Sequence, residues 1–91
     1  MADEETTLGE LKARIDQTIA WIEGVPPAAF DGAETREVAF KAGPYDLKFD
    51  GLSYLLGFAT PNFFFHVTTA YGILRMKGVQ IGKLDYLTPP A

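Results

Sequence analysis

The sequence predicts a mainly α-helical chain, with one helix, a β-hairpin and a long kinked helix, that completes a four-helix bundle by pairing with a second copy. Three observations predict this fold class. Apolar residues recur every three or four positions in the first quarter of the chain, two alternating runs flank Gly43-Pro44, and residues 51–74 contain no charged side chain.

The composition is that of an ordinary globular protein and excludes several functional classes. The chain has 91 residues, of which 47% are apolar and 22% charged, so we expect one half-bundle domain over residues 1–91 with flexible tails at 1–6 and 88–91. Without cysteine there is no thiolate nucleophile, thiolate zinc site or redox couple, and a reducing cytoplasm is the expected location.

The charge pattern bears on partners and export. The net charge is −4, and nucleic acid is not an expected partner because phosphate binding needs a basic patch. The acidic start, from Asp3 to Glu5, is the opposite of the basic leader that precedes a secretory signal. We therefore expect neither nucleic-acid binding nor export.

The first helix is predicted by its start signal and its period. Thr7 and Glu10 have the spacing of a capping box, and we place the helix from there to Glu23. Gly24 is expected to stop the helix in the left-handed conformation, and Pro26 prevents its resumption. The apolar side is formed by Leu8, Leu11, Ile15, Thr18, Ile19 and Ile22.

The alternating runs predict a hairpin whose loop is Gly43-Pro44, with glycine in the first position of a type II′ turn. This loop fixes the register and places six apolar side chains on one face. The facing pairs are Ala42 with Tyr45, Phe40 with Leu47, and Val38 with Phe49. Lys41 then opposes Asp46 on the solvent face.

The long helix is predicted to begin after Asp50, a good N-cap, and to end at Gly78, with the rest of the chain to Ala91 mostly extended. Pro61 either kinks this helix or begins a new one with Thr60 as its cap, and we favour a kinked continuous helix. Its apolar residues surround it in two stripes. The first stripe is Leu52, Leu55, Leu56, Ala59, Phe63, Val67, Ala70 and Leu74, and the second is Tyr54, Phe58, Phe65, Gly72, Ile73 and Met76.

The charge-free stretch has the length of a transmembrane helix. The free energy of inserting it into a membrane therefore decides between a membrane span and a buried helix. Its strongly apolar residues contribute roughly −3 to −6 kcal/mol on the insertion scale, and Pro61, Asn62, His66 and several glycine and threonine positions oppose them. The net free energy of membrane insertion is therefore near zero. A buried helix of a soluble protein also explains the one-sided first helix and hairpin, so we expect no membrane association.

The same stretch predicts self-association. One amphipathic helix and one hairpin face cover about half of a helix this apolar, and each large side chain left in water costs about 1.5 to 3 kcal/mol. A second copy is the simplest cover, and closed twofold pairing is the commonest symmetry. We therefore predict a homodimer; a separate polypeptide is the alternative.

Several segments carry a resemblance to a known family. They are ELKARI (10–15), DGAE (31–34), PNFFFHVTTAY (61–71), ILR (73–75), GV (78–79) and GKLDY (82–86). With these segments, from about residue 7 to residue 87, the chain resembles an uncharacterised bacterial domain-of-unknown-function family in the DinB-like helical superfamily.

The resemblance implies half of a four-helix bundle, because members of that family are usually about twice as long and this chain is similar to their second half. DinB-like proteins are often regarded as metalloenzymes that bind a metal through three histidines on neighbouring helices. This chain departs from that pattern, since it has one histidine.

His66 is the one residue whose chemistry points to a site, as a metal ligand or a general base. The competing interpretation is a core histidine that is hydrogen-bonded to Asn62 or to a backbone carbonyl. No ligand stands one turn away along the helix, so a metal would need Asp16 or Glu23 as further ligands, or else His66 of another subunit.

A ligand pocket is the other hypothesis. Tyr71 and Arg75 lie one turn apart and could hold an anion, and the phenylalanines at 63–65 could form aromatic walls. The pocket candidates are Asn62, Phe63, His66, Tyr71 and Arg75. We predict a helical-bundle protein that binds a small ligand near His66, with no cofactor required. The alternative is a DinB-like metal-dependent enzyme with His66 as a ligand or general base at a dimer interface, so enzyme activity stays open.

Overall fold

The computed structural model describes residues 3–87, which form two compact units that divide between Ala33 and Glu34. The regular elements are α1 (Leu8–Glu23), β1 (Glu37–Ala42), β2 (Tyr45–Asp50), α2 (Gly51–Tyr54), a π-helical segment (Leu55–Ala59), α3 (Thr60–Met76) and α4 (Lys83–Leu87), with short 3₁₀ turns at Pro27–Phe30 and Ala33–Thr35. The predicted mainly helical fold and the order of helix, hairpin and long helix are confirmed. Of the predicted tails, residues 1–2 and 88–91 lie outside the described residues.

The first unit is built on α1, whose predicted cap and bounds are confirmed. The Glu10 amide donates to the Thr7 hydroxyl oxygen at 3.1 Å, and this hydroxyl donates to the Glu10 carboxylate at 3.2 Å. The left-handed stop at Gly24 is wrong, because its φ is −78°. The last turn instead tightens to a 3₁₀ bond from the Val25 amide to the Ile22 carbonyl, at 3.1 Å, before Pro26.

The hairpin of the second unit has the register that its loop predicted. The facing pairs are Val38 with Phe49, Phe40 with Leu47, Lys41 with Asp46, and Ala42 with Tyr45. Gly43 has a φ of 60°, as the first position of a type II′ turn requires. On the solvent face, the Lys41 ammonium lies 3.9 Å from the Asp46 carboxylate.

Four aromatic rings hold the hairpin against the long helix. The ring centroids lie 5.0 to 6.2 Å apart, in stacked, tilted and edge-to-face geometries, and the residues are Phe40, Phe49, Tyr54 and Phe58. Two of them come from the strands and two from the helix. The hairpin therefore occupies one side of the helix at its N-terminal end.

The long helix is continuous over residues 51–76, as predicted. Asp50 caps it by accepting a hydrogen bond from the Ser53 amide at 2.8 Å. The disturbance at Pro61 takes the form of a π turn, in which the Thr60 amide donates to the carbonyl of Leu55, five residues back. A proline lacks an amide donor and its ring clashes with the carbonyl four residues earlier, and a wider turn before it relieves both problems.

The segment after Gly78 differs from the prediction. Gly78 ends the long helix with a φ of 97°, but the following residues are not wholly extended, since α4 forms at Lys83–Leu87. The Gly82 amide donates to the Asp85 carboxylate at 2.8 Å, which is the reciprocal bond of a capping box. This local cap nucleates a helix that a period-based argument over so short a segment does not detect.

Many large apolar side chains of the described residues are exposed. Not one of the residues 3–87 is fully buried. The large apolar side chains of α1 are exposed, and they are Leu8, Leu11, Ile15, Ile19 and Ile22. Within the same range, no helix reaches both the length and the apolar character that a bilayer-spanning segment requires.

Candidate functional site

The predicted site residues lie on one helix, α3, but not on one side of it. Asn62, Phe63 and His66 stand in its first two turns and are exposed, while Tyr71 and Arg75 follow towards its C-terminal end. The structure keeps the first three together, because residues three and four apart share one side of a helix.

Tyr71 is occupied by a structural contact. Its hydroxyl donates a hydrogen bond to the backbone carbonyl of Gly82, and its ring meets the Tyr86 ring edge to face with 5.5 Å between centroids. These contacts hold the segment after Gly78 against α3. Tyr71 therefore anchors the returning chain, and Arg75, one turn further on, is exposed in the last turn of α3.

His66 has an accessible imidazole. The residue is exposed, and its side chain makes no hydrogen bond to any other residue of the described range. The ring of Phe65 lies edge to face with it at 5.5 Å between centroids. Both ring nitrogens thus remain available to a ligand, a metal or a covering chain.

An apolar surface that we name the open face runs beside His66. Its members are exposed and recur along one side of the long helix, and they are Leu52, Leu55, Leu56, Phe63, Ala70 and Leu74. Phe63 is 60% exposed and Leu56 is 63% exposed. His66 follows Phe63 by three residues and precedes Ala70 by four, so it lies at the edge of the open face.

Other parts of the second unit cover the remaining sides of the helix in part. The hairpin packs on Tyr54 and Phe58, both half-buried, and the C-terminal segment packs on Tyr71, which is also half-buried. Sequence reasoning placed apolar residues all round the helix but did not show which of them the hairpin and the C-terminal segment would cover. The structure distinguishes the two sets.

Metal-ligating side chains do not gather around His66 in the described chain. Among residues 3–87, no three histidine or acidic side chains are grouped in a way that could hold a metal ion. Asp16 and Glu23, the carboxylates considered as additional ligands, belong to the first unit, whereas His66 belongs to the second.

The first unit contains an ion-pair cluster that the sequence did not suggest. The Arg14 guanidinium contacts the Asp3 carboxylate at 2.8 Å and the Glu5 carboxylate at 2.9 Å. Its hydrogen bond and charge hold the pKa of Asp3 below the ordinary value. These contacts hold residues 3–5 against α1. The pairing follows no regular sequence spacing, so the sequence does not predict it.

Comparison with known proteins identifies the family. A family model described as a domain of unknown function (DUF1993) matches residues 1–87. The chain belongs to this family. The DUF1993 chain is also similar to a DinB family member protein from Shewanella denitrificans, whose crystal structure matches with a TM-score of 0.84 and 40% sequence identity. The resemblance that the sequence carried is thereby confirmed.

The same comparison bears on length. The match covers 99% of the DUF1993 chain and 50% of the Shewanella denitrificans protein, so the chain spans about half the length of that relative. No curated protein matches it significantly.

Proposed function

We propose that this DUF1993 chain is a DinB-like helical-bundle protein that binds a small ligand in an apolar pocket beside His66. The observation that carries the proposal is the position of an accessible imidazole at the edge of an uncovered apolar surface. When that surface is covered, the imidazole becomes a polar group at the margin of an apolar enclosure.

The chemistry of the site favours a small organic ligand. Binding pockets combine apolar and aromatic walls with a few polar groups that orient the ligand. Phe63 and Ala70 supply the walls, and His66 and Asn62 supply hydrogen-bond donors and acceptors on the same side of α3. A compact aromatic or aliphatic molecule with one or two hydrogen-bonding groups fits this arrangement.

A metal-dependent enzyme with His66 as a ligand or general base at a dimer interface is the second candidate. The accessible imidazole is the observation in its favour, because a neutral ring nitrogen is a common ligand for zinc and related metals. Two copies would supply two such imidazoles, and water or carboxylates would have to complete the coordination.

Nuclear magnetic resonance of the imidazole separates these candidates, because the chain has one histidine. We would titrate the protein with indole, a compact apolar probe with one donor, and separately with Zn²⁺. The proposal predicts a saturable shift of the His66 ring signals with indole that Phe63→Ala weakens at least fivefold. Met76→Ala, which removes a more exposed side chain at the end of α3, is the matched control.

Two results would count against the ligand proposal. An indole titration that never saturates, or that Met76→Ala weakens as much as Phe63→Ala, would contradict it. Stoichiometric zinc binding that His66→Ala abolishes would favour the metal-dependent enzyme instead.

A further inference from the structure

The chain leaves α3 through a defined helix stop. The Val79 amide donates to the Leu74 carbonyl and the Gly78 amide donates to the Arg75 carbonyl, each at 3.0 Å, and Gly78 has a φ of 97°. These are the two hydrogen bonds of a Schellman motif, in which the left-handed position favours glycine. The motif fixes the point at which residues 79–87, which we name the strap, depart from the helix.

Gly82 is the point at which the strap meets α3. Its amide donates to the Asp85 carboxylate at 2.8 Å, and its carbonyl accepts hydrogen bonds from the Tyr86 amide, at 3.3 Å, and from the Tyr71 hydroxyl. The first two bonds close the turn of α4, and the third joins that turn to α3. One residue of the strap therefore takes part both in its internal turn and in its attachment.

Tyr71 contacts two strap residues that a formed turn brings together. Its hydroxyl donates to the Gly82 carbonyl, and its ring meets the Tyr86 ring with 5.5 Å between centroids. Residues four apart are neighbours on one side of a helix, whereas they are about 13 Å apart in an extended chain. Tyr71 therefore binds the helical form of the strap better than its extended form.

The length of α4 makes this attachment important for the helix itself. Isolated helices shorter than about 12 residues are marginal in water, because nucleation fixes several dihedral angles for one hydrogen bond. α4 has five residues, so the Asp85 cap alone leaves it mostly unfolded. The contacts with Tyr71 add stability that the local sequence lacks.

We propose that the strap is a two-state element in which α4 forms only while Tyr71 holds it, so that docking and helix formation are one event hinged at Gly78. In the closed state the Tyr71 hydroxyl and ring are both engaged. In the open state they are released on α3, the helix that also carries His66. The inference goes beyond the proposed ligand site and does not depend on it.

Amide hydrogen exchange in the full chain tests the coupling, because Tyr71→Phe removes no hydrogen bond inside the strap. The Gly82 and Tyr86 amides should exchange faster by the same factor, about fivefold. The Val79 amide, which bonds to α3 at the hinge, should be unchanged. Unequal factors at the two strap amides, no acceleration at either, or equal acceleration at Val79 would overturn the proposal.

Tyr86→Leu tests the same coupling from the strap and leaves α3 intact. Leucine is at least as good a helix former as tyrosine, so a loss of helix reports the lost ring contact. The helical Cα chemical shifts of residues 83–87 should fall by about half. Lys83→Ala is the matched control, because it changes α4 outside the two contacts with Tyr71, and it should preserve these shifts.

The hairpin provides the reference for global unfolding. Amide exchange in residues 37–50 should be unchanged in both tyrosine variants, because the strap opens without the hairpin. Hairpin exchange that accelerates by the same factor as strap exchange would overturn the proposal. Helical shifts that Tyr86→Leu retains in full would also overturn it, because α4 would then fold on its own cap.

Discussion

The rings of Phe40 and Phe58 meet edge to face, with 5.0 Å between their centroids. Phe40 lies in β1 and Phe58 lies in the π-helical segment, so the contact joins residues that are distant in the sequence. Through it the hairpin occupies one side of the long helix and leaves the open face uncovered. The position of the hairpin therefore determines which apolar residues of the helix it leaves exposed.

This aromatic cluster should be a main source of stability in the second unit. Phe40→Ala removes three ring contacts and should lower the free energy of unfolding by about 2 kcal/mol, measured by urea denaturation. Tyr45→Ala is the control on the same hairpin, because Tyr45 is 69% exposed, and it should cost less than about 0.5 kcal/mol. Equal losses for the two variants would show that the cluster contributes no more than an exposed ring.

The hydrogen bond from the Tyr71 hydroxyl to the Gly82 carbonyl should hold the C-terminal segment in place. Tyr71→Phe removes the donor and should cost about 1 kcal/mol locally. Amide hydrogen exchange in residues 83–87 should then accelerate about fivefold. Tyr54→Phe is the matched control, because in residues 3–87 the Tyr54 hydroxyl makes no hydrogen bond, and unchanged exchange in both variants would refute the anchoring role.

Asp50 should make stability depend on pH in the acidic range. Hydrogen bonds from the Ser53 amide and hydroxyl hold the pKa of Asp50 below its ordinary value of 3.8. Its contribution is therefore fully present above that value and is lost as the pH falls through the lower pKa of the folded state. Asp50→Asn keeps a capping side chain that does not titrate.

The comparison of wild type with Asp50→Asn isolates this effect, because all other titrating groups are shared. The wild type should be the more stable protein at neutral pH, and the difference should shrink between about pH 5 and pH 2 in urea denaturation series. A stability difference that stays constant over this range would mean that the ionised carboxylate adds nothing to the cap.

Local signals explain what the sequence could predict. The hairpin register followed from Gly43-Pro44, because a two-residue loop and a period of two leave one alignment of the strands. The caps at Thr7 and Asp50 were also predictable, because each depends on a residue only three positions away. Pro61 signalled a disturbance but not its form, because a π turn and a kink are two ways of accommodating the same proline.

A short segment and non-local packing account for what the sequence could not predict. The Asp85 cap of α4 is a local signal, but it occupies a segment too short to show a helical period. The contacts of Tyr71 with Gly82 and Tyr86 depend on the chain turning back after Gly78, so sequence reasoning placed Tyr71 in a pocket instead. The choice of open face depended on the hairpin packing on the opposite side, which no single stretch of sequence encodes.

Solution mass over a wide range of concentration tests the central claim most directly, namely that the apolar surface of this chain is covered by a second copy. Sedimentation equilibrium should give twice 10.0 kDa at micromolar concentration, and dilution should produce dissociation together with loss of the helical circular dichroism signal. A compact, fully helical species of 10.0 kDa that persists at high dilution would contradict the claim.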